Sequence, residues 1–237
     1  MSTLLLRLAG PFQSWGTESR FNVRMTDNVP SKSGVIGLLA AALGRRRDED
    51  ISDLRRLHFG VRSDWEGTLI RDYHTAKVPK EKNSNVTERY YLADAVFLVG
   101  LEAEDLSFLQ RLEEALCSPV WSPYLGRRSC PPTQPLVLGI RELTLYEALS
   151  QEPWLAAEWQ RKKCGDEYPK LSILIDDIGM SGNEVGLTEY RRTIVRDKPI
   201  SFDQKNRQFE FRMVKDTGPV IDPVVVDPAI GEEQKKP

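Results

Sequence analysis

The first 140 residues read as strand, helix, strand, strand, helix, strand. That order predicts an α+β chain with a ferredoxin-like N-terminal domain, built as a split βαβ unit, and a smaller β-rich C-terminal extension. Three stretches carry the reading. Residues 2–9 alternate loosely and stop at Gly10 and Pro11, as a strand does. Residues 30–44 form an apolar run of helical length between a serine-rich start and a glycine. Residues 95–101, Ala-Val-Phe-Leu-Val-Gly-Leu, are continuously apolar, as expected of a strand covered on both faces. The expected divisions are a first domain over 1–140, an extension over 141–222, and a proline-bearing, charged, disordered tail over 223–237.

The helix at 30–44 is argued locally. Ser31 or Ser33 can accept from the first free backbone N–H groups, and Ala40, Ala41 and Ala42 favour helix and close packing. Gly44 offers a left-handed stop, followed by Arg45, Arg46 and Arg47 at the negative end of the helix dipole. Lys32 and Ser33 at the start make a candidate anion site; an ordinary capped core helix is the alternative. The order Lys32, Ser33, Gly34 reverses the end of a Walker-type loop and lacks its glycine-rich run, which argues against nucleoside triphosphate hydrolysis. Gly34 and Gly37 enclose two apolar residues, so they read as packing positions and not as a backbone clamp.

At 237 residues, with 40% hydrophobic and 29% charged content, the composition is that of a soluble globular protein. The longest uncharged apolar run, residues 35–43, is too short to span a bilayer, and Arg7, Gly10 and Pro11 spoil any N-terminal signal segment. Cys117, Cys130 and Cys164 lack paired metal-ligand spacing, so free thiols, no metal and a reducing, cytoplasmic setting are expected. The net charge of −2 hides an asymmetry: residues 1–47 carry seven Lys/Arg against two acids, residues 142–237 fourteen against eighteen. Screening limits each charge to a reach of ~8 Å, so a local basic field can hold phosphate on a slightly acidic chain.

Further along, Gln13, Trp15, Arg20 and Arg24 interleave aromatic, amide and guanidinium groups in a loop-rich stretch. Such a set can stack bases and grip phosphates, or the tryptophan can anchor its loop to the core. Ile51, Leu54 and Leu57 predict a short helix, residues 58–65 a strand, and residues 69–75 continued extended chain. Residues 77–87 are nearly without apolar side chains and carry Lys77, Lys80 and Lys82, a long basic insertion suited either to a polyanion or to plain solvation. Residues 107–116 show a leucine face at helical spacing. Residues 124–132 leave a strand through Gly126, Arg127, Arg128, Ser129 and two prolines, and adjacent arginines at a glycine turn suit phosphate. Beyond 140, a helix over 146–163 broken at Pro153, a strand over 171–175, and pairing of residues 209–213 with 191–196 are expected. The ferredoxin-like arrangement is shared by the common RNA-recognition module, which supports RNA binding without proving it.

Taken in order, Arg7 to Pro11 with Gln13 to Gly16, Lys32 to Gly37, Asp72 to Thr75, Arg89 to Asp94 and Tyr124 to Pro132 resemble the CasD subunits of type I-E CRISPR Cascade complexes, members of the repeat-associated mysterious protein superfamily. The resemblance spans roughly residues 3–140 and is looser beyond. It implies a thumb inserted over about 70–91, which contains Lys77, Lys80 and Lys82 and packs against the guide beside the neighbouring backbone subunit. It also implies a site for the repeat-derived 5′ handle of the CRISPR RNA. That site is expected to take in Gln13, Arg20, Arg24, Lys32 and Ser33, the glycine-loop residues Arg127, Arg128 and Ser129, and Arg89 with the aromatic Trp15, Tyr90 and Tyr91. Implied partners are the CRISPR RNA, the backbone and large subunits, and target DNA through the assembled complex, with no cofactor and no membrane. Relatives in another subtype cleave repeat RNA without metal, so an endoribonuclease using Tyr73, His74 and Lys77 is the alternative; type I-E systems assign that cleavage to a separate subunit.

Overall fold

The computed structural model describes residues 1–16, 19–20, 22–76, 85–164, 169–177 and 191–221. In chain order its elements are β1 (Ser2–Ala9), β2 (Phe12–Gln13), β3 (Ser19–Arg20), β4 (Val23–Arg24), α1 (Lys32–Ala42), α2 (Ser52–Arg55), β5 (His58–Trp65), β6 (Thr68–Ala76), β7 (Asn85–Ala93), β8 (Val96–Ala103), α3 (Leu106–Cys117), β9 (Val137–Arg141), α4 (Leu145–Gln151), α5 (Glu158–Cys164), β10 (Lys170–Asp176), β11 (Arg191–Ser201) and β12 (Gln208–Ile221). The expected strand ending at Tyr124 is absent: residues 124–130 are a loop, and the strand after α3 begins at Val137. Pro123, Pro131 and Pro132 remove backbone donors that a ladder there would need.

Among the described residues the principal sheet has seven strands in the order β11-β12-β10-β5-β8-β1-β9, with every neighbouring pair antiparallel. Its centre, β5-β8-β1-β9, alternates with the crossovers that contain α1 and α3. Leu4, Leu6 and Leu8 of β1 and Phe97, Val99 and Leu101 of β8 face the apolar side chains of α1 and α3. Leu5 and Leu98 point the other way and meet Leu145, Ala148 and Leu149 of α4, with Ile173 and Ile175 of β10. The period of two in β1 thus feeds two cores, and each fully buried leucine contributes roughly 1.5–3 kcal/mol. β10, β11 and β12 continue the sheet from β5, so hydrogen bonding runs across the division expected near residue 140.

Two glycines make room for α4. Gly60 and Gly100 are register partners on β5 and β8. A Cβ on Gly100 would stand 2.6 Å from Leu145 Cδ1, and one on Gly60 2.7 Å from Leu149 Cδ1. Gly100→Ala is therefore expected to destabilise the chain by about 1–3 kcal/mol through overpacking, read as a lower urea midpoint; an unchanged midpoint would mean that α4 shifts freely.

A second sheet has five strands among the described residues. β6 and β7 form a hairpin that leaves the principal sheet between β5 and β8, with Asp72 opposite Arg89 and Ile70 opposite Tyr91. β2 pairs antiparallel with the base of β7, and β4 pairs parallel to it with Arg24 beside Arg89. Lys77, Lys80 and Lys82 lie outside the described residues, as does the tail expected over 223–237. Among the described residues no helix is long and apolar enough to cross a membrane.

Candidate nucleic-acid interface

The loop at 124–130 is pinned at its neck. Leu125 N–H donates to Cys130 C=O at 2.7 Å, Cys130 N–H donates to Arg127 C=O at 2.9 Å, and both Leu125 and Cys130 are buried. Ser14 N–H donates to Leu125 C=O at 3.1 Å, docking the loop on the chain after β2. Gly126 sits at φ +81°, and a Cβ there would fall 1.8 Å from Ser14 O, so both the turn and the docking demand glycine. Burial pushes the Cys130 thiol above its ordinary pKa, the Ser129 hydroxyl and Arg127 offsetting only part of the effect. Iodoacetamide is accordingly expected to modify exposed Cys117 in the native protein and Cys130 only on unfolding, as read by peptide mass mapping; rapid native labelling of Cys130 would show that the loop opens.

Arg128 and Ser129 are held out into solvent by this loop. The Arg127 guanidinium lies 4.6 Å from the centroid of Tyr91, and its Nη2 donates to Arg24 C=O at 2.9 Å. Its Nη1 is enclosed without an acceptor among the described residues, and so is Arg89 Nε on the neighbouring strand. Arg24, Arg89, Arg127 and Arg128 therefore stand as four arginines along one border of the second sheet, the guanidiniums of Arg89 and Arg127 with enclosed N–H donors left over. Such donors are costly unless an acceptor arrives, and a phosphate oxygen is an acceptor matched to a guanidinium.

Other expected contacts have different places. Trp15 is fully buried: its Nε1 donates to Gln13 Oε1 at 3.0 Å, and its ring packs where a Cβ on Gly34 would be, 2.9 Å from Cε3. Gln13 is also fully buried, its amide donating to Leu8 C=O and Ala95 C=O. These two residues brace the β2 turn against α1 and are enclosed away from any ligand, a correction to their reading as base contacts. Tyr91 is 6% exposed and serves as the shelf under Arg127, while Tyr90 alternates to the opposite face and reaches Glu88 at 3.5 Å. Ser33 lies within 3.4 Å of Ser31, whose hydroxyl caps α1 by accepting from Gly34 N–H at 3.2 Å. Arg20 falls in β3, where its backbone alone is described.

Lys32 is the clearest correction. It is buried, and its Nζ donates to Asp176 Oδ2 and to Leu57 C=O, each at 2.7 Å. The anion at the start of α1 is internal: Asp197 Oδ2 accepts from Lys32 N–H at 2.7 Å. Arg212 closes the network, its Nε and Nη2 on Asp197 and its Nη1 on Asp176. Desolvation lowers the Lys32 ammonium below its ordinary pKa, with Asp176 countering in part. The start of α1 does hold an anion, but that anion is a carboxylate 165 residues away, which leaves no local signal in the sequence.

On the hairpin, His74 Nε2 meets Asp72 Oδ2 at 2.5 Å. Tyr73 faces the other side of β6 beneath Arg71, whose guanidinium is 4.9 Å from its ring. Tyr73 and His74 thus point away from each other, and Lys77 lies outside the described residues. Arg71, not singled out in the sequence, joins Tyr73, Glu88 and Tyr90 on one face; the alternation of 71 and 73 against 88 and 90 was the available sign.

The family described as CRISPR-associated protein (Cas_Cas5) matches residues 3–215. The CRISPR system Cascade subunit CasD of Escherichia coli (strain K12) is 42% identical over 159 residues, which cover 58% of this chain and 70% of that protein. Among solved structures, a chain of a CRISPR RNA-guided surveillance complex superposes with a TM-score of 0.75 at 33% identity, covering 94% of this chain and 92% of its own. A crystal structure of a Cas protein superposes with a TM-score of 0.67 at 38% identity, covering 93% of this chain and 95% of its own.

Proposed function

The chain belongs to the CRISPR-associated Cas5 family, and from that footing we propose that it is a non-catalytic, RNA-binding subunit of a type I-E surveillance complex, Cascade. There it holds the 5′ handle of the CRISPR RNA and caps one end of the assembly in antiviral defence. The observation that carries this reading is the cluster of Arg24, Arg89, Arg127 and Arg128, with two enclosed guanidinium N–H groups that lack an acceptor among the described residues. An RNA backbone supplies acceptors of the required charge, and the pinned glycine loop presents Arg127 and Arg128 with less entropy left to lose. The likeness to CasD and to the surveillance-complex chain supports the assignment to that assembly.

In this reading the β5-β8-β1-β9 unit with α1 and α3 is the ferredoxin-like domain of the superfamily, and the β6–β7 hairpin is the base of the thumb. The thumb meets the guide and the neighbouring backbone subunit; the large subunit and target DNA are reached through the assembly. The separation of Tyr73 from His74 across β6 supports a binding role over endonuclease chemistry, which needs a base and an acid on one reacting group.

The test is a titration of the purified chain, without metal, with a labelled CRISPR RNA carrying its 5′ handle and with the same guide lacking it. Handle-dependent binding of RNA that stays intact is the expected result. Equal binding of both RNAs would overturn the handle assignment, and a cut within the repeat that disappears in His74→Ala would overturn the non-catalytic one.

A further inference from the structure

A histidine–carboxylate pair stands on the same side of the hairpin as two of the arginines just described. β6 and β7 pair without a break in register: Ile70 lies opposite Tyr91, Asp72 opposite Arg89 and His74 opposite Thr87. Opposed residues share a face of a sheet, and so do residues two apart on one strand. Asp72, His74 and Arg89 therefore share the face on which the Tyr91 ring carries the Arg127 guanidinium. We infer that His74 is a specificity-determining contact for the RNA held there, its free ring nitrogen, Nδ1, accepting from a ribose 2′-hydroxyl beside the phosphate on Arg89. This rests on the handle reading and adds to it a means of choosing RNA over DNA.

Asp72 spends its carboxylate away from its cross-strand neighbour. Directly opposed acidic and basic side chains ordinarily pair across a ladder. Among the described residues no ion pair joins Asp72 to Arg89, and Arg89 Nε is enclosed without an acceptor. Asp72 Oδ2 lies instead 2.5 Å from His74 Nε2, along its own strand. One carboxylate thus orients the imidazole and leaves the opposed guanidinium for a ligand. Thr87 Oγ1 donates to His74 C=O at 3.3 Å, which ties this step of β6 to β7.

The chemistry of the free nitrogen follows from that contact. An ionised carboxylate only accepts, so the ring hydrogen sits on Nε2, and in the neutral ring Nδ1 is then an acceptor. The His74 side chain is 43% exposed, so a ligand can reach it. Phosphate oxygens are themselves acceptors and do not match Nδ1. The donor beside a phosphate in an RNA strand is the ribose 2′-hydroxyl, the group that DNA lacks. His74 and Arg89 are diagonal neighbours, a relation that sets residues roughly 7–8 Å apart. One nucleotide can therefore meet both, phosphate on the guanidinium and hydroxyl on the imidazole. Tyr73 lies on the opposite face beneath Arg71, so its phenol does not join them, and the hydroxyl is bound without being activated.

The probes are two labelled CRISPR RNAs of one sequence, the first all ribose and the second with 2′-deoxyribose throughout its 5′ handle. Each is titrated into the full chain without metal and followed by anisotropy. Wild type should bind the ribose handle about fivefold more tightly, the worth of one hydrogen bond. His74→Ala should remove that preference, its loss falling on the ribose handle. Asp72→Ala lets the ring turn and exchange its hydrogen between the two nitrogens, and should lower the preference as well. Arg128→Ala should weaken both handles by the same factor, as a phosphate contact does. Equal binding of the two handles by wild type, or equal losses on both in His74→Ala, would overturn the inference and leave the handle reading standing. Binding of neither RNA would overturn both.

Discussion

Asp197→Ala is expected to cost roughly 3–5 kcal/mol of folding stability, the range for removing one partner of a buried ionic network. Asp197 is 1% exposed and does three things at once. It accepts from Lys32 N–H at the first turn of α1, and it takes two N–H bonds from Arg212 on β12. Without it the helix start loses an acceptor at its positive end, and Lys32 and Arg212 are left sharing Asp176 alone. Asp197→Asn keeps the shape but turns one acceptor into a donor facing Arg212, so most of the loss should persist. Urea unfolding measures this as a lower midpoint at unchanged slope. A shift below about 1 kcal/mol would mean that water enters and replaces the carboxylate.

The second large effect belongs to the glycine loop. Arg127→Ala together with Arg128→Ala should weaken binding of a handle-bearing RNA on the order of 10²-fold, since each charge-assisted bond is worth about 1.5–3 kcal/mol. The slope of log affinity against log salt should fall by about 1.4, the share of two cations on a single strand. Arg128→Ala alone isolates the exposed cation, because Arg127 also braces Arg24 C=O and covers Tyr91. Arg127→Lys keeps the charge but loses the planar fork, and should recover little of the affinity. Unchanged affinity and slope in the double variant would remove this loop from the RNA site.

The candidate site was legible in the sequence where function rests on short segments. Gly126, Arg127 and Arg128 formed a turn whose chemistry follows from three adjacent residues, and the structure gives that turn its docking on Ser14. For Trp15 and Gln13 the sequence leaves base stacking and core anchoring both open, because amide–indole pairing inside a core uses the same residue types as base recognition. Only the Nε1 to Oε1 bond and full burial separate the two uses. Arg62 was passed over as an ordinary strand residue, yet it is fully buried, forked onto Asp64, and donates to the carbonyls of Leu149, Glu152 and Pro153 at the end of α4.

By itself the sequence determined the alternation of β1, the capped α1, the apolar β8, the leucine face of α3 and the hairpin partners β11 and β12. Each is set by periodicity, capping or turn chemistry within a dozen or so residues. The tertiary structure alone decided that β10 to β12 extend the principal sheet, that Lys32 faces an internal carboxylate, and that Arg127 reaches the Arg24 carbonyl. Those outcomes depend on which strand edges and charges meet after the chain has closed loops of more than a hundred residues. Burial and pairing across such distances belong to the assembled core and leave no periodic trace in the local sequence.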